Sequence, residues 1–425
     1  MSAEQEQNEE YLDLQEVAEV VEEDKETSEG PIDDDMDEDV NEEDDYTEIS
    51  VPQEGEAIDP DSIEIDLSNN SESYFENHQD SIFTIATHPK LPIAVSGGGD
   101  NTAYLWTTHT SPAKLIGELK GHGESVTSSG FTNDGQYVIT ADMTGKVIIH
   151  KATKRGQVWV PHGKVEDVEE VNWIRVHPNQ NVFAVGALDG SVWVYQIEPE
   201  VSLIFSGFSH SMECTTGEFI NVDNLDELKL ITCSEDGSII GWNCYTQQTM
   251  YKIEKPELKG LSPPWVSLAL NSSTVIASFG SRDSQVAIVN TETGNVLTMF
   301  KAFELKDGED IYDASIESIS WCDSLSLMAL GLVSGDIFIF DTKTWRVRRS
   351  LKCGDAVTKL AFLKDTPYLY ASSMEGKVHK WDARTGEVLD TFVGHHMGVL
   401  DFAFDCTGSR VITAGDEGVS LVFKA

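Results

Sequence analysis

Eight times between residues 100 and 423 the chain repeats one short phrase, a tight turn followed six residues later by an aromatic or bulky side chain. The turns begin at Asp100, Thr144, Asp189, Asp236, Asp283, Ser334, Glu375 and Glu417, and the partners are Trp106, His150, Tyr195, Trp242, Val289, Phe340, Trp381 and Phe423. Successive turns lie 44, 45, 47, 47, 51, 41 and 42 residues apart. A period of this length marks a repeat array, in which each unit buries its apolar face only against its neighbours. Within a unit, a short apolar run such as 137–141 or 230–234 meets an Asp-Gly-like turn and then an alternating run such as 146–150. That grammar pairs two antiparallel strands. A 3.6-residue apolar period is confined to a weak, strongly acidic stretch at 10–22, so helices are expected to be rare and the fold class all-β. The period suits one four-stranded blade per unit, and eight units predict an eight-bladed β-propeller.

The eighth unit reaches Ala425 with three strands. Residues 73–78 (SYFENH) align with 390–395 (DTFVGH), the link between units seven and eight. Residues near 63–77 are therefore expected to supply the outer strand of the last blade, which leaves no open sheet edge.

Charge divides the chain in two. Its 29 Lys+Arg stand against 74 Asp+Glu, a formal net charge of −45. Residues 1–60 hold 26 of the acids and a single base, Lys25, with little apolar material to offset chain entropy. A disordered acidic leader over 1–62 and a propeller over 63–425 are the expected domains. Residues 61–425 keep a net charge of −20 and offer no cationic surplus to neutralise a phosphate backbone, so no direct nucleic-acid binding is expected. No apolar run reaches membrane-spanning length, and the acidic start lacks the apolar core of a secretory signal. Cys214, Cys233, Cys244, Cys322, Cys353 and Cys406 are widely spaced with no CxxC pair, and read as reduced core thiols. The acid content points to basic proteins as partners.

The repeats resemble the WD-repeat family. Gly121-His122 and Gly394-His395 match its GH dipeptides, Trp106, Trp242 and Trp381 its tryptophan position, and Asp382 completes one literal WD pair. Thr144 and Ser334 depart from the turn acid, and His150 and Val289 from the tryptophan. The runs GGGDNTAYLWT, GHGESV, TADMTGKV, DASIESISW, LMALGLVSGDIFIFDTKTWRVR, HHMGVLDF and AGDEGVSLVF, with the acidic leader, are similar to one branch of it. That branch comprises fungal chaperones dedicated to a large-subunit ribosomal protein of the L-ten type, with the angio-associated migratory cell protein as animal counterpart. The resemblance implies a ribosome-assembly factor that captures the basic N-terminal segment of its client on an acidic propeller face. It also implies a monomer without cofactor, in the cytoplasm and with nuclear entry open. A WD-repeat scaffold or adaptor in a signalling or ubiquitin-ligase complex is the alternative, because propellers host many unrelated functions.

Register suggests where a client would sit. The turn acids Asp100, Asp189, Asp236, Asp283, Glu375 and Glu417 are expected to hold their own turns by accepting hydrogen bonds. The residue before each of the eight turn positions faces outward: Gly99, Met143, Leu188, Glu235, Arg282, Val333, Met374 and Asp416. Glu235 and Asp416 are the acids of that set. A second set comes from the inner strands. Glu169 follows Val168 and Glu317 follows Ile316, each taken as one past an equivalent apolar anchor, with Glu170 next. Glu124 lies two before Val126 and Asp355 two before Val357. Glu124, Glu317 and Asp416 fall inside motifs that carry the resemblance and rank first, ahead of Glu169, Glu170 and Glu235, with Asp355 last. Carboxylates converging on a channel mouth suit Arg and Lys side chains. Met143, Met374, Met397 and Tyr312 are candidate apolar anchors, whereas Trp173, Trp265 and Trp321 read as core.

No catalytic or metal-binding pattern stands out. GGGD at 97–100 leads into a strand turn and not a helix, and no GxxxxGK[ST] occurs. His395-His396 has no companion Cys or His nearby in sequence. The acids at 33–35 lack the spacing of a calcium loop. A non-enzymatic protein without a metal is expected.

Overall fold

Four-stranded antiparallel meanders follow one another eight times around a closed ring. The computed structural model describes residues 68–306, 308 and 310–425, so the leader and the first residues expected for the closing strand lie outside the described residues. Blades one to seven span residues 82–119, 126–165, 171–207, 214–253, 265–301, 316–352 and 357–392. Blade eight is composite. Its three inner strands run over 399–424, and its outer strand is Ser73–Phe75, paired antiparallel with Ser420–Lys424. Among the described residues helix is limited to three short 3₁₀ turns, and no helix is long and apolar enough to cross a membrane.

The blades cohere because each strand presents alternate side chains to the next blade. Val286 and Ile288 of blade five, for example, pack with Ile316, Met328 and Leu330 of blade six, all fully buried. Burying each such side chain contributes on the order of 1.5–3 kcal/mol, which fixes strand register around the ring.

Polar chains lock the hairpins of blades one, two, four and eight to the loops that precede those blades. In blade one the Trp106 indole donates to Ser96 Oγ (3.1 Å), and Ser96 Oγ lies 2.9 Å from His78 Nε2. His78 Nδ1 donates to the Asp100 carboxylate at 3.1 Å. A carboxylate only accepts, so the proton belongs on Nδ1 and the serine donates to Nε2. Blade four repeats the start of this chain with Trp242, Thr232 and His210. Blade eight uses Thr413, His395 and Glu417. In blade two the carboxylate bonded to the GH histidine is not at position 144 but two residues earlier: fully buried Asp142 accepts from His122 and from Thr144.

The closing strand sits where the repeat alignment puts it. Phe75 is buried and stacks parallel on Trp106 of blade one, with ring centroids 4.9 Å apart. The Asn70 side chain donates to the Thr391 carbonyl and accepts from the Val393 amide, tying the segment to the link between blades seven and eight. The cysteine reading needs one correction. Five are buried free thiols, but Cys406 is exposed, because it lies in the tight turn after the first strand of blade eight.

Candidate functional site

Two features recur in all eight blades and together build the channel mouth. The first is a register shift after the opening residue of every inner strand, from Ile82/Thr84 in blade one to Val399/Asp401 in blade eight. The skipped residue escapes the ladder and turns toward the central cavity. The second is a hydrogen bond from the residue before each turn position to the carbonyl of the residue just ahead of the inner strand. It runs from Gly99 to Ser81, Met143 to Ser125, Leu188 to Glu170 and Glu235 to Glu213. It continues from Arg282 to Pro264, Val333 to Ser315, Met374 to Ala356 and Asp416 to Gly398, with lengths of 2.8–3.4 Å over the set. The hairpin tips are thereby pinned against the starts of the inner strands on one face.

The turn acids are occupied as expected. Asp236 accepts from Ser211 and Ser238; burial works against its charge, but those hydrogen bonds hold its carboxyl down at about 2. Asp189 accepts from Ser191, Asp283 from Ser281, and Glu375 from Gly354 and His379.

The residues with free register gather at the mouth. Glu317 is the skipped residue of blade six, exposed, accepting from Ser315 Oγ at 2.6 Å and lining the central cavity. The other seven skipped positions hold Phe83, Thr127, Asn172, Thr215, Val266, Thr358 and Leu400, so Glu317 carries the only charge of that ring. Asp416 is half-buried and accepts from Ser81 Oγ at 2.7 Å. Glu124 and Asp355 are exposed, two residues ahead of their inner strands. Glu235 is ion-paired with Arg282.

Glu169 is at the mouth but not in the assumed register. Val168 is a buried loop residue, and the inner strand of blade three starts at Val171. Glu169 is therefore the counterpart of Glu124 and Asp355, Glu170 immediately precedes the strand, and the blade-three counterpart of Glu317 is Asn172.

Two further acids belong to the same rim. Asp80 stands two before Ile82, and its Oδ1 accepts from the next amide at 2.7 Å, as Asp355 does. Glu213 precedes the inner strand of blade four beside Glu235. Burial and then that neighbouring carboxylate push its pKa up, with Arg282 opposing. The signal for both was their offset from the inner-strand anchor. Across these positions the mouth carries nine carboxylates (Asp80, Glu124, Glu169, Glu170, Glu213, Glu235, Glu317, Asp355, Asp416) and one cation, Arg282.

Apolar groups interleave with the acids. Met143, Met374, Met397 and Tyr312 are exposed there, as are Leu188 and Met212. Trp173 and Trp265 are buried in the core, whereas Trp321 is half-buried and donates to Ser278 Oγ. The cavity below the mouth has a volume of about 760 Å³. Apart from Glu317, its charges are paired within the wall, Arg175 with Glu218 at 2.8 Å and Lys359 with Asp401 at 2.6 Å. The uncompensated negative charge is thus concentrated at the rim, where its field can draw in cations.

The family described as WD domain, G-beta repeat matches residues 69–107, 113–151, 345–382 and 386–421. The ribosome assembly protein SQT1 of Saccharomyces cerevisiae is 47% identical over 386 residues, spanning 86% of this chain and 89% of the relative. The human angio-associated migratory cell protein is 29% identical over 362 residues, 84% of this chain and 80% of the relative. The crystal structure of Saccharomyces cerevisiae Sqt1 superposes with a TM-score of 0.81 at 46% identity, covering 84% of this chain and 99% of that one. Chaetomium thermophilum Sqt1, crystallised bound to the N-terminus of the ribosomal protein L10, gives a TM-score of 0.75 at 27% identity over 84% and 100% of the two chains.

Proposed function

This chain belongs to the WD-repeat family of the yeast ribosome assembly protein Sqt1, and from that premise we propose that it is a chaperone for a large-subunit ribosomal protein. It holds the basic N-terminal segment of the newly made client, of the L10 type, on the acidic mouth until delivery. The observation that carries the reading is the charge of the rim, nine carboxylates against one guanidinium. The Chaetomium relative bound to an L10 N-terminus supports the same choice of client.

Glu124, Glu317 and Asp416 make the principal contacts, with Glu169, Glu170, Glu235 and Asp355 around them. Each carboxylate offers two acceptor oxygens to an arginine fork or a lysine ammonium. Exposed ion pairs contribute only about 0–1 kcal/mol each, so affinity rests on several together and on apolar anchorage. Met143, Met374, Met397 and Tyr312 supply that anchorage, as thioethers and an aromatic ring adapt to aliphatic stems. The role is binding without catalysis, by a monomer acting in the cytoplasm. The propeller neither needs a cofactor nor binds nucleic acid directly.

Titrating the protein with the client's N-terminal peptide at two salt concentrations tests this. Saturable one-to-one binding that weakens steeply with salt is expected. No binding at low salt, or a cell pull-down dominated by cullin or kinase complexes with no ribosomal protein, would replace the chaperone with an adaptor.

A further inference from the structure

Blades one, two, four and eight place a histidine four residues before the inner strand, namely His78, His122, His210 and His395. Each imidazole spans from its loop to the neighbouring hairpin, reaching a carboxylate in blades one, two and eight and Ser238 in blade four. Blade seven holds Cys353 at that position, since its inner strand begins at Val357. A thiol is shorter than an imidazole and a weak hydrogen-bond donor, so it cannot make the same bridge.

The hairpin of blade seven differs to match. The Glu375 carboxylate takes hydrogen bonds from the Gly354 amide (2.8 Å), from Ser373 Oγ (3.1 Å) and from His379 Nε2 on the following strand (2.8 Å). Cys353 Sγ, a Glu375 oxygen and a ring nitrogen of His379 all lie within 4.8 Å of one another. The thiol is buried, and the other two side chains are half-buried. The remaining ring nitrogen, His379 Nδ1, is 3.2 Å from Thr391 Oγ1, which fixes the ring with Nε2 toward the cluster. Outer hydrogen bonds of this kind orient metal-binding histidines.

We propose that Cys353, Glu375 and His379 form a zinc site that staples the loop ahead of blade seven to its hairpin. Thiolate, imidazole and carboxylate in one cluster suit a borderline-soft divalent ion, and three protein ligands leave a fourth tetrahedral position to water. A thiolate with a single carboxylate is a poor match for Mg²⁺ or Ca²⁺. On binding, Cys353 loses its thiol proton to solvent. The neutral imidazole moves its proton from Nε2 to Nδ1, facing Thr391, and Glu375 turns the oxygen that His379 held toward the ion. The staple joins the same two segments that histidine and carboxylate join elsewhere in the ring. Those segments also carry Asp355 and Met374 of the rim, so the ion would stiffen that side of the mouth.

The test uses the full-length chain, treated with a chelator and dialysed, with Co²⁺ as the spectroscopic probe and Zn²⁺ as competitor. One equivalent of Co²⁺ should produce thiolate-to-metal charge-transfer absorption together with intense tetrahedral bands, and Zn²⁺ should abolish both. Zn²⁺ should also raise the Tm. Cys353→Ser should lose the charge-transfer band, and His379→Gln should weaken Co²⁺ binding by at least the roughly 10–100-fold that losing an outer partner of a ligand costs, while keeping the band at saturation. Both variants retain the acidic leader, so weak carboxylate binding is common to all three proteins. Absence of a thiolate band in the unaltered chain, or a band that survives Cys353→Ser, overturns the proposal. A Tm that Zn²⁺ leaves unchanged also overturns it, and that readout needs neither variant to fold.

Discussion

The guanidinium of Arg282 in blade five is ion-paired with the carboxylate of Glu235 in blade four, across the rim of the channel. Of the eight hairpin positions pinned by the recurring hydrogen bond, Arg282 is the only cation. It occupies from within the kind of place that an arginine of a basic client would take.

Removing that internal competitor should therefore strengthen binding. Arg282→Ala is expected to bind the basic client peptide about three- to tenfold more tightly at low salt, with the gain shrinking as salt rises. Calorimetric titration reads this directly. Equal or weaker affinity would mean that Arg282 does not compete with the client.

Glu317 is the charged member of the ring of skipped residues. Glu317→Lys places a cation where the client's cations should enter, so affinity should fall at least tenfold. The side chain is exposed, and stability should stay within about 0.5 kcal/mol of the unaltered protein. Normal peptide affinity in a folded variant would remove Glu317 from the site.

Closure of the ring depends on one short strand and its aromatic contact. Phe75→Ala removes a buried ring stacked on Trp106 and should cost about 3–5 kcal/mol, lowering the urea midpoint. A chain starting near residue 80 loses the whole strand and should melt earlier. Cooperative melting at an unchanged temperature would show that the strand is dispensable.

Burial holds His150, His177 and His210 at about 4, below the ordinary 6.5. A lowered folded pKa means that the unfolded chain takes up protons first as pH falls. Stability from these groups is therefore full above pH 6.5, declines as pH drops from 6.5 to about 4, and is then level. Each contributes up to about 3 kcal/mol to that loss. Urea unfolding at several pH values across this window should show the decline, and a flat profile would contradict it.

The leader over residues 1–62, which lies outside the described residues, is proposed to act as a polyanionic brush that competes with RNA for the client's basic regions. Deleting residues 1–55 should slow association several-fold at low salt while changing dissociation little. Unchanged on-rate, affinity and solubility would leave the brush without a role.

The ring was legible in the sequence because turn and aromatic recur at fixed offsets, and so was the closing strand, through the likeness of 73–78 to 390–395. The mouth was legible in part. Glu235 and Asp416 follow from simple offsets, but Glu169 was misplaced because Val168, though apolar and buried, belongs to a loop. Asp142 was missed because a carboxylate displaced by two residues reaches the same histidine through a different backbone path. Asp80 and Glu213 share offsets with residues that were chosen, yet no matching motif drew attention to them. The cluster of Cys353, Glu375 and His379 has no linear signature, since folding alone brings the loop to the hairpin.

The seam of blade eight sets a schedule for the molecule. The hydrogen bonds from Ser81 to Asp416, like the pairing of Phe75 with Ser420, join segments that are made early and late in the synthesis of the propeller. A ribosome translating this message must release the last strand before the first can find its partner. Until then blade eight lacks its outer strand and the ring has a gap. Closure of the ring is therefore a late event, and a nascent propeller stalled short of its final strand keeps an open seam beside blade one.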